Sequence, residues 1–296
     1  MKRIFIFPLC TLLLAVLSLT TACAQSSEFG AMFGTSFYLG DLNQSGVFKN
    51  THRDGSYSFC PAGGFMYRYN ISPRWAVKAD FIFGKVSASD VNTLNAARNL
   101  SFTSPITELS VEAELNFLKL YNAPQKNRFS PYIFAGITVF SFDPQAQLVD
   151  GGEFYELQSL GTEGQELTDE SPKRYSLTSV AIPFGIGVKF TIGRHFSIGA
   201  EWGMRYTFTD YLDDVKGVYC DNQALRDARG SIVADLADRS PELGTEANPI
   251  EFNKEGTQRG NVTTTDLYSF AGITFTVKFG NESTTCDLRK PRRPLH

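Results

Sequence analysis

Only one long apolar run exists in this 296-residue chain, and it lies at the start. Lys2 and Arg3 precede the apolar stretch 4–19, and Ala22-x-Ala24 then offers a small-residue signal-peptidase site before Gln25, the pattern of an export leader over 1–24. No later run approaches the roughly 20 residues that a membrane helix needs. An exported chain without a second apolar helix is either soluble or a β-barrel.

Histidine is scarce as well. His52 falls in a loop, His195 at a turn and His296 at the terminus, so none stands near the acidic residues of the strand pattern. No nucleophile and base come close together at one rim, as a lipid-acting barrel enzyme would need. The expectation is a non-enzyme with no catalytic residues, no cofactor and no metal, and with no nucleic-acid partner or small-molecule substrate. An excess of either sign of charge is small: the formal net charge is -3, becoming -5 once Lys2 and Arg3 leave with the leader.

Cysteine is sparse, and its number is odd in the mature chain, where Cys60, Cys220 and Cys286 remain. At least one thiol is therefore free or paired to another chain in an oxidising compartment. A Cys60–Cys220 disulfide is possible if Cys60 lies near the outer rim of its strand. Cys23 raises lipidation as an alternative to removal, but Thr20 stands where a lipobox prefers Leu.

Phenylalanine and glycine, 25 of each, are abundant, and they are arranged with period two. The stretch 267–279, LYSFAGITFTVKF, sets Leu267, Ala271, Ile273, Phe275, Val277 and Phe279 against Tyr268, Gly272, Thr274, Thr276 and Lys278. Such alternation makes a strand with one apolar and one polar face, and Phe279 suits the aromatic girdle that closes an outer-membrane barrel. Seven earlier segments alternate likewise, over 28–40, 59–69, 75–84, 108–117, 131–142, 180–190 and 196–208. Either parity of 131–142 can face outward. Pro183 predicts a bulge, because the alternation continues on both sides of it. The connections run long, short, long, short, long, short, long, with long loops over 41–58, 85–105, 143–174 and 209–264. Within the last, Leu225, Ala228, Ile232, Val233 and Leu236 predict an amphipathic helix over 222–238, resting on the barrel mouth.

The pattern predicts an all-β fold, an eight-stranded antiparallel transmembrane β-barrel over 25–279 with long extracellular loops, both ends of the mature chain in the periplasm, and a periplasmic tail over 280–296. Trp75, Phe81, Trp202, Phe208 and Phe275 are too large to share an eight-stranded lumen, so they face lipid. The polar faces then meet inside. Asp80, Glu108, Glu112, Glu114 and Glu201 stand there with Arg68, Lys78, Lys189, Arg205 and Lys278, a balance that allows pairing across strands. These ten residues are read as a structural ion network filling the lumen, in preference to a catalytic or proton-handling set. Asp210, Asp213 and Asp214 lack calcium-loop spacing and are read as a hydrogen-bonded corner. In the tail, Pro291 and Pro294 favour irregular chain, whereas Cys286, Arg289, Lys290, Arg292 and Arg293 suit docking of an acidic partner.

Two segments carry a resemblance. Residues 29–42, FGAMFGTSFYLGDL, and 206–215, YTFTDYLDDV, resemble the PorG-like outer-membrane barrels of the type IX secretion system. The resemblance implies a non-catalytic component that anchors the periplasmic ring to the outer membrane, with a ring lipoprotein and its partner subunit as partners. A surface adhesion or defence barrel is the alternative, and a narrow pore or a lipid-modifying barrel enzyme is a third reading.

Overall fold

The computed structural model describes residues 26–279 except 44, 45, 47, 49, 53, 121–127 and 194. The leader, Cys23 and the whole tail, with Cys286, Arg289, Lys290, Arg292 and Arg293, lie outside the described residues. Ten strands form one antiparallel sheet: β1 (Ser26–Leu39), β2 (Pro61–Asn70), β3 (Trp75–Ser89), β4 (Ser101–Asn116), β5 (Phe129–Phe142), β6 (Gln145–Gln147), β7 (Phe154–Glu156), β8 (Thr178–Ile192), β9 (Phe196–Thr207) and β10 (Leu267–Phe279). Pairing of β3 with β4 and of β1 with β10 closes eight of them into a barrel, while β6 and β7 form a small hairpin beside β4 above the wall. Ser27 stands opposite Phe279, so the first and last strands end together at the rim of short turns.

The alternation sorts the faces as expected. Phe29, Phe33, Phe65, Trp75, Phe81, Leu109, Ile137, Val139, Ile186 and Phe275 are exposed on the outer wall. Exposed apolar surface continuous around a closed barrel is stable only against lipid. Trp75, Phe117, Phe129, Phe196 and Phe279 gather at the strand ends of the short-turn rim as an aromatic girdle. The fold is an outer-membrane β-barrel.

Three local expectations change, and one left open is settled. β3 runs on to Ser89 and β4 begins at Ser101, so most of the expected loop 85–105 is a hairpin rising above the barrel. Its core-facing positions are Val86, Ala88 and Phe102 with Ser104, while Lys85, Ser87, Ser101 and Thr103 make the other face polar, so the outward apolar signal of the membrane strands stops here. In β5 the odd positions Ile133, Ile137 and Val139 face out, and Tyr132, Phe134, Phe140 and Phe142 face in. β8 carries no bulge at Pro183: its register against β5 is the same at Ala135↔Phe184 and Thr138↔Ala181, with the ladder interrupted only between these pairs. Toward β9 the register passes unbroken through Pro183↔Arg205, so the missing N–H faces the β5 side and only local pairing there is lost.

The third change concerns the expected helix over 222–238, which is split at Gly230 (φ 91°) into α2 (Asn222–Arg229) and α3 (Ser231–Ala237), after a single turn α1 (Leu157–Leu160). Asp221 caps α2 by accepting from the amides of Gln223 and Ala224. Leu225, Val233 and Leu236 turn inward, but they pack on Ala146, Leu157, Leu160 and Leu167 of the preceding long loop, not on the barrel mouth. Ala228 and Ile232 stay exposed. The apolar side chains of that neighbouring loop supply the surface on which the helices are buried.

Candidate functional site

The lumen is filled in layers from the short-turn rim upward. Nearest that rim, the register sets Glu28 of β1 directly opposite Arg68 of β2 and Lys278 of β10. Cross-strand opposition of unlike charges is a favourable unit of sheet pairing. Arg68 donates to Glu28 at 2.9 Å and to Glu114 at 2.8 Å, and Lys189 pairs with Glu114 from the far side. Glu28 also accepts from Asn70 at 2.9 Å and Thr276 at 3.1 Å.

The next layer centres on Lys78. Its ammonium lies 2.8 Å from Glu201, 3.0 Å from Asp80 and 3.0 Å from Glu112, and 4.5 Å from the centre of the Phe134 ring. Tyr132 donates to Glu201 at 2.7 Å. The three carboxylates offer oxygens within 4.8 Å of one another, a spacing that a hard cation could use. The ammonium already stands between them. Inward Gly136 and Gly187 face Glu112 and Glu201 across their ladders, and a Cβ on Gly187 would meet Tyr132 Cζ at 2.3 Å.

Above it, Arg205 donates to Glu108 at 2.6 Å and lies 4.8 Å over the Phe270 ring, while Tyr268 donates to Glu108 at 2.7 Å. The lumen then turns apolar. Met32, Met66, Ile82, Val86, Phe102, Ile106, Phe140, Phe142 and Phe270 form one buried cluster, into which Leu42, Leu212 and Val215 insert from the long loops as a cork.

All ten residues read as the lumen network, Arg68, Lys78, Asp80, Glu108, Glu112, Glu114, Lys189, Glu201, Arg205 and Lys278, are buried inside the barrel and meet in these layers. The sequence reasoning missed Glu28, although its even position matches the inward Gly30, Ser36 and Tyr38 of the same strand. It also missed the aromatic upper half, for which the inward parity of β5 was the signal. Chemically, this packing ties strands from all around the wall to one another. Each buried charge has a partner of opposite sign within reach, the condition under which ions survive in a low-dielectric interior.

Over the cork lies a folded cap of loops. Buried Arg259 joins Glu163 at 2.9 Å and also donates to the carbonyls of Ala237 and Asp214. Asp214 accepts from Tyr175 at 2.6 Å and from Thr162, and burial pushes its carboxyl up to about 6 against the pull of Arg259. Asp213 turns instead to Tyr38, so Asp213 and Asp214 diverge to separate partners and do not converge with Asp210 on a common ligand set. Cys60 and Cys220 are not joined. The Cys60 thiol lies by Ser58, whereas Cys220 sits in the cap against Thr162 and Gly164.

The chain is similar to several solved structures. Ail, the attachment invasion locus protein of Yersinia pestis, shares 9% identity at a TM-score of 0.38, over 86% of this chain and 99% of that one. Neisserial surface protein A shares 9% at 0.37, over 86% and 96%. The outer membrane protein OprG from Pseudomonas aeruginosa shares 10% at 0.38, over 88% and 98%. No curated protein matches the sequence. A family match covers residues 6–233, and the chain belongs to that family, described as a domain of unknown function, DUF6089.

Proposed function

We propose that this barrel is a non-catalytic outer-membrane component of the type IX protein secretion machinery, which anchors the periplasmic ring complex to the outer membrane. The observation that carries the reading is the filled lumen: paired charges below and a corked aromatic cluster above leave the barrel to work through its ends and surface. The resemblance of 29–42 and 206–215 to PorG-like barrels supplies the machinery. The basic residues Arg289, Lys290, Arg292 and Arg293, with Cys286, are suited to docking an acidic face of the ring lipoprotein or its partner subunit. Deleting 280–296 should leave a heat-modifiable barrel in the membrane and abolish co-purification of the ring subunits. Persistence of that complex sinks the tail as the anchor.

A second reading, a surface adhesion or defence barrel, is favoured by the cap, in which Arg259 and α1–α3 hold the long loops in one packed unit. Trimming the loops 143–174 and 209–264 would then abolish binding to host cells or matrix while sparing secretion. A secretion defect from that trimming would count against adhesion.

A further inference from the structure

The cork is held by a hydrogen-bonded triad at the long-loop end of the barrel. Asp213 Oδ2 and Asp266 Oδ1 each lie 2.6 Å from the single hydroxyl of Tyr38. Their other oxygens are already engaged: Asp213 Oδ1 accepts from the amide of Val215 at 2.9 Å, and Asp266 Oδ2 from the amide of Leu212 at 2.9 Å. Leu212 and Val215 are the residues that enter the apolar cluster of the lumen. All three members of the triad are buried, and Gly40 packs so tightly on them that a Cβ there would meet Asp266 Oδ1 at 2.0 Å and the Tyr38 hydroxyl at 2.1 Å.

A phenol carries one proton and can donate it to only one carboxylate. The second contact, at the same length, requires a proton on the other carboxyl, which then donates to the phenol oxygen. Two ionised carboxylates on one phenol would leave a lone-pair contact of 2.6 Å in a buried site. An ion in place of the proton finds no free oxygen, because all four carboxyl oxygens are already engaged in hydrogen bonds.

We propose that the Tyr38–Asp213–Asp266 triad is a proton latch: it holds one proton beyond that of the phenol, and loss of this proton releases the Leu212–Val215 cork from the barrel mouth. The charged groups facing the triad are Asp41 after β1 and Asp210 in the corner, which oppose further ionisation, and Arg98 from the β3–β4 connection, which favours ionisation of Asp213. Burial pushes Asp266 up to about 8 and Asp213 well above the ordinary carboxylate range. A carboxyl raised on folding stabilises in acid, and that contribution is lost as the pH rises through the raised value. The latch is therefore tightest in acid and loosens progressively as the pH rises from the ordinary carboxylate range, about 4, to about 8.

Hydrogen–deuterium exchange of the full chain in micelles, corrected for intrinsic rates, tests this at the amides of Leu212 and Val215. Their protection should be highest near pH 5, fall by up to roughly tenfold per pH unit toward about pH 8, and level off above it. Asp266→Asn replaces the extra proton with an amide N–H and should keep both amides protected up to pH 9.5. Asp213→Asn does the same if the first variant fails to form a heat-modifiable barrel. Tyr38→Phe should lower protection at both ends of the range. Wild-type protection that is unchanged up to pH 9.5, an Asn variant that loses protection as wild type does, or loss of protection on adding a chelator at pH 6 would each overturn the latch.

Discussion

Arg68 shows how much a single lumen side chain carries. It is fully buried and bridges Glu28 to Glu114. Arg68→Met removes one cation and leaves Glu114 with Lys189 and Glu28 with Lys278 alone in the interior, at a cost of about 3–5 kcal/mol. Urea unfolding of the refolded barrel should record the loss, and a change within experimental error would mean that Lys189 and Lys278 compensate. Gly187 matters for the opposite reason, since it leaves the space that the Tyr132 ring occupies. Gly187→Val should destabilise by about 1–3 kcal/mol through overpacking and break the bond from Tyr132 to Glu201, visible as a lower unfolding midpoint. At this scale the alternating parity made ten lumen residues legible. Glu28 escaped because it lies close to the start of its strand, and Tyr132 because both parities of 131–142 are rich in large apolar residues.

Among the elements, β5 offers the clearest test of which face meets lipid. Ile137 lies near the middle of the strand and is 69% exposed. Ile137→Arg places a guanidinium near the bilayer midplane and should cost about 2–4 kcal/mol in folding into liposomes. The same substitution at a loop tip such as Leu94, also exposed, should leave the unfolding midpoint unchanged. Strand existence was readable because period two survives even through Pro183. Strand ends were not: small polar residues inside the β3–β4 hairpin carry no hydrophobic signal, and Gly230 divides a helix whose apolar spacing continues across it. Register alone decides whether Pro183 bends its strand, and here the neighbouring ladders absorb it.

For the whole molecule, the layered lumen predicts no steady conductance when the barrel is inserted in planar bilayers, and stable open steps would contradict it. The cap predicts separable stabilities. Arg259→Ala leaves Glu163 and Asp214 without their shared cation, so limited proteolysis should cut the 209–264 loop early while the barrel keeps its heat-modifiable migration. The amino-acid sequence by itself determined the eight alternating strands and the inside and outside faces of all of them but β5, because period-two patterning is a local property that each strand carries alone. Only the tertiary structure decided which charges pair, that aromatic side chains fill the upper lumen, and that Leu212 and Val215 are seated by Tyr38, Asp213 and Asp266. Tyr38 lies 175 and 228 residues from its two aspartates and Arg68 lies 40 and 46 from its two glutamates, and barrel closure and strand register, which no local pattern encodes, bring them together.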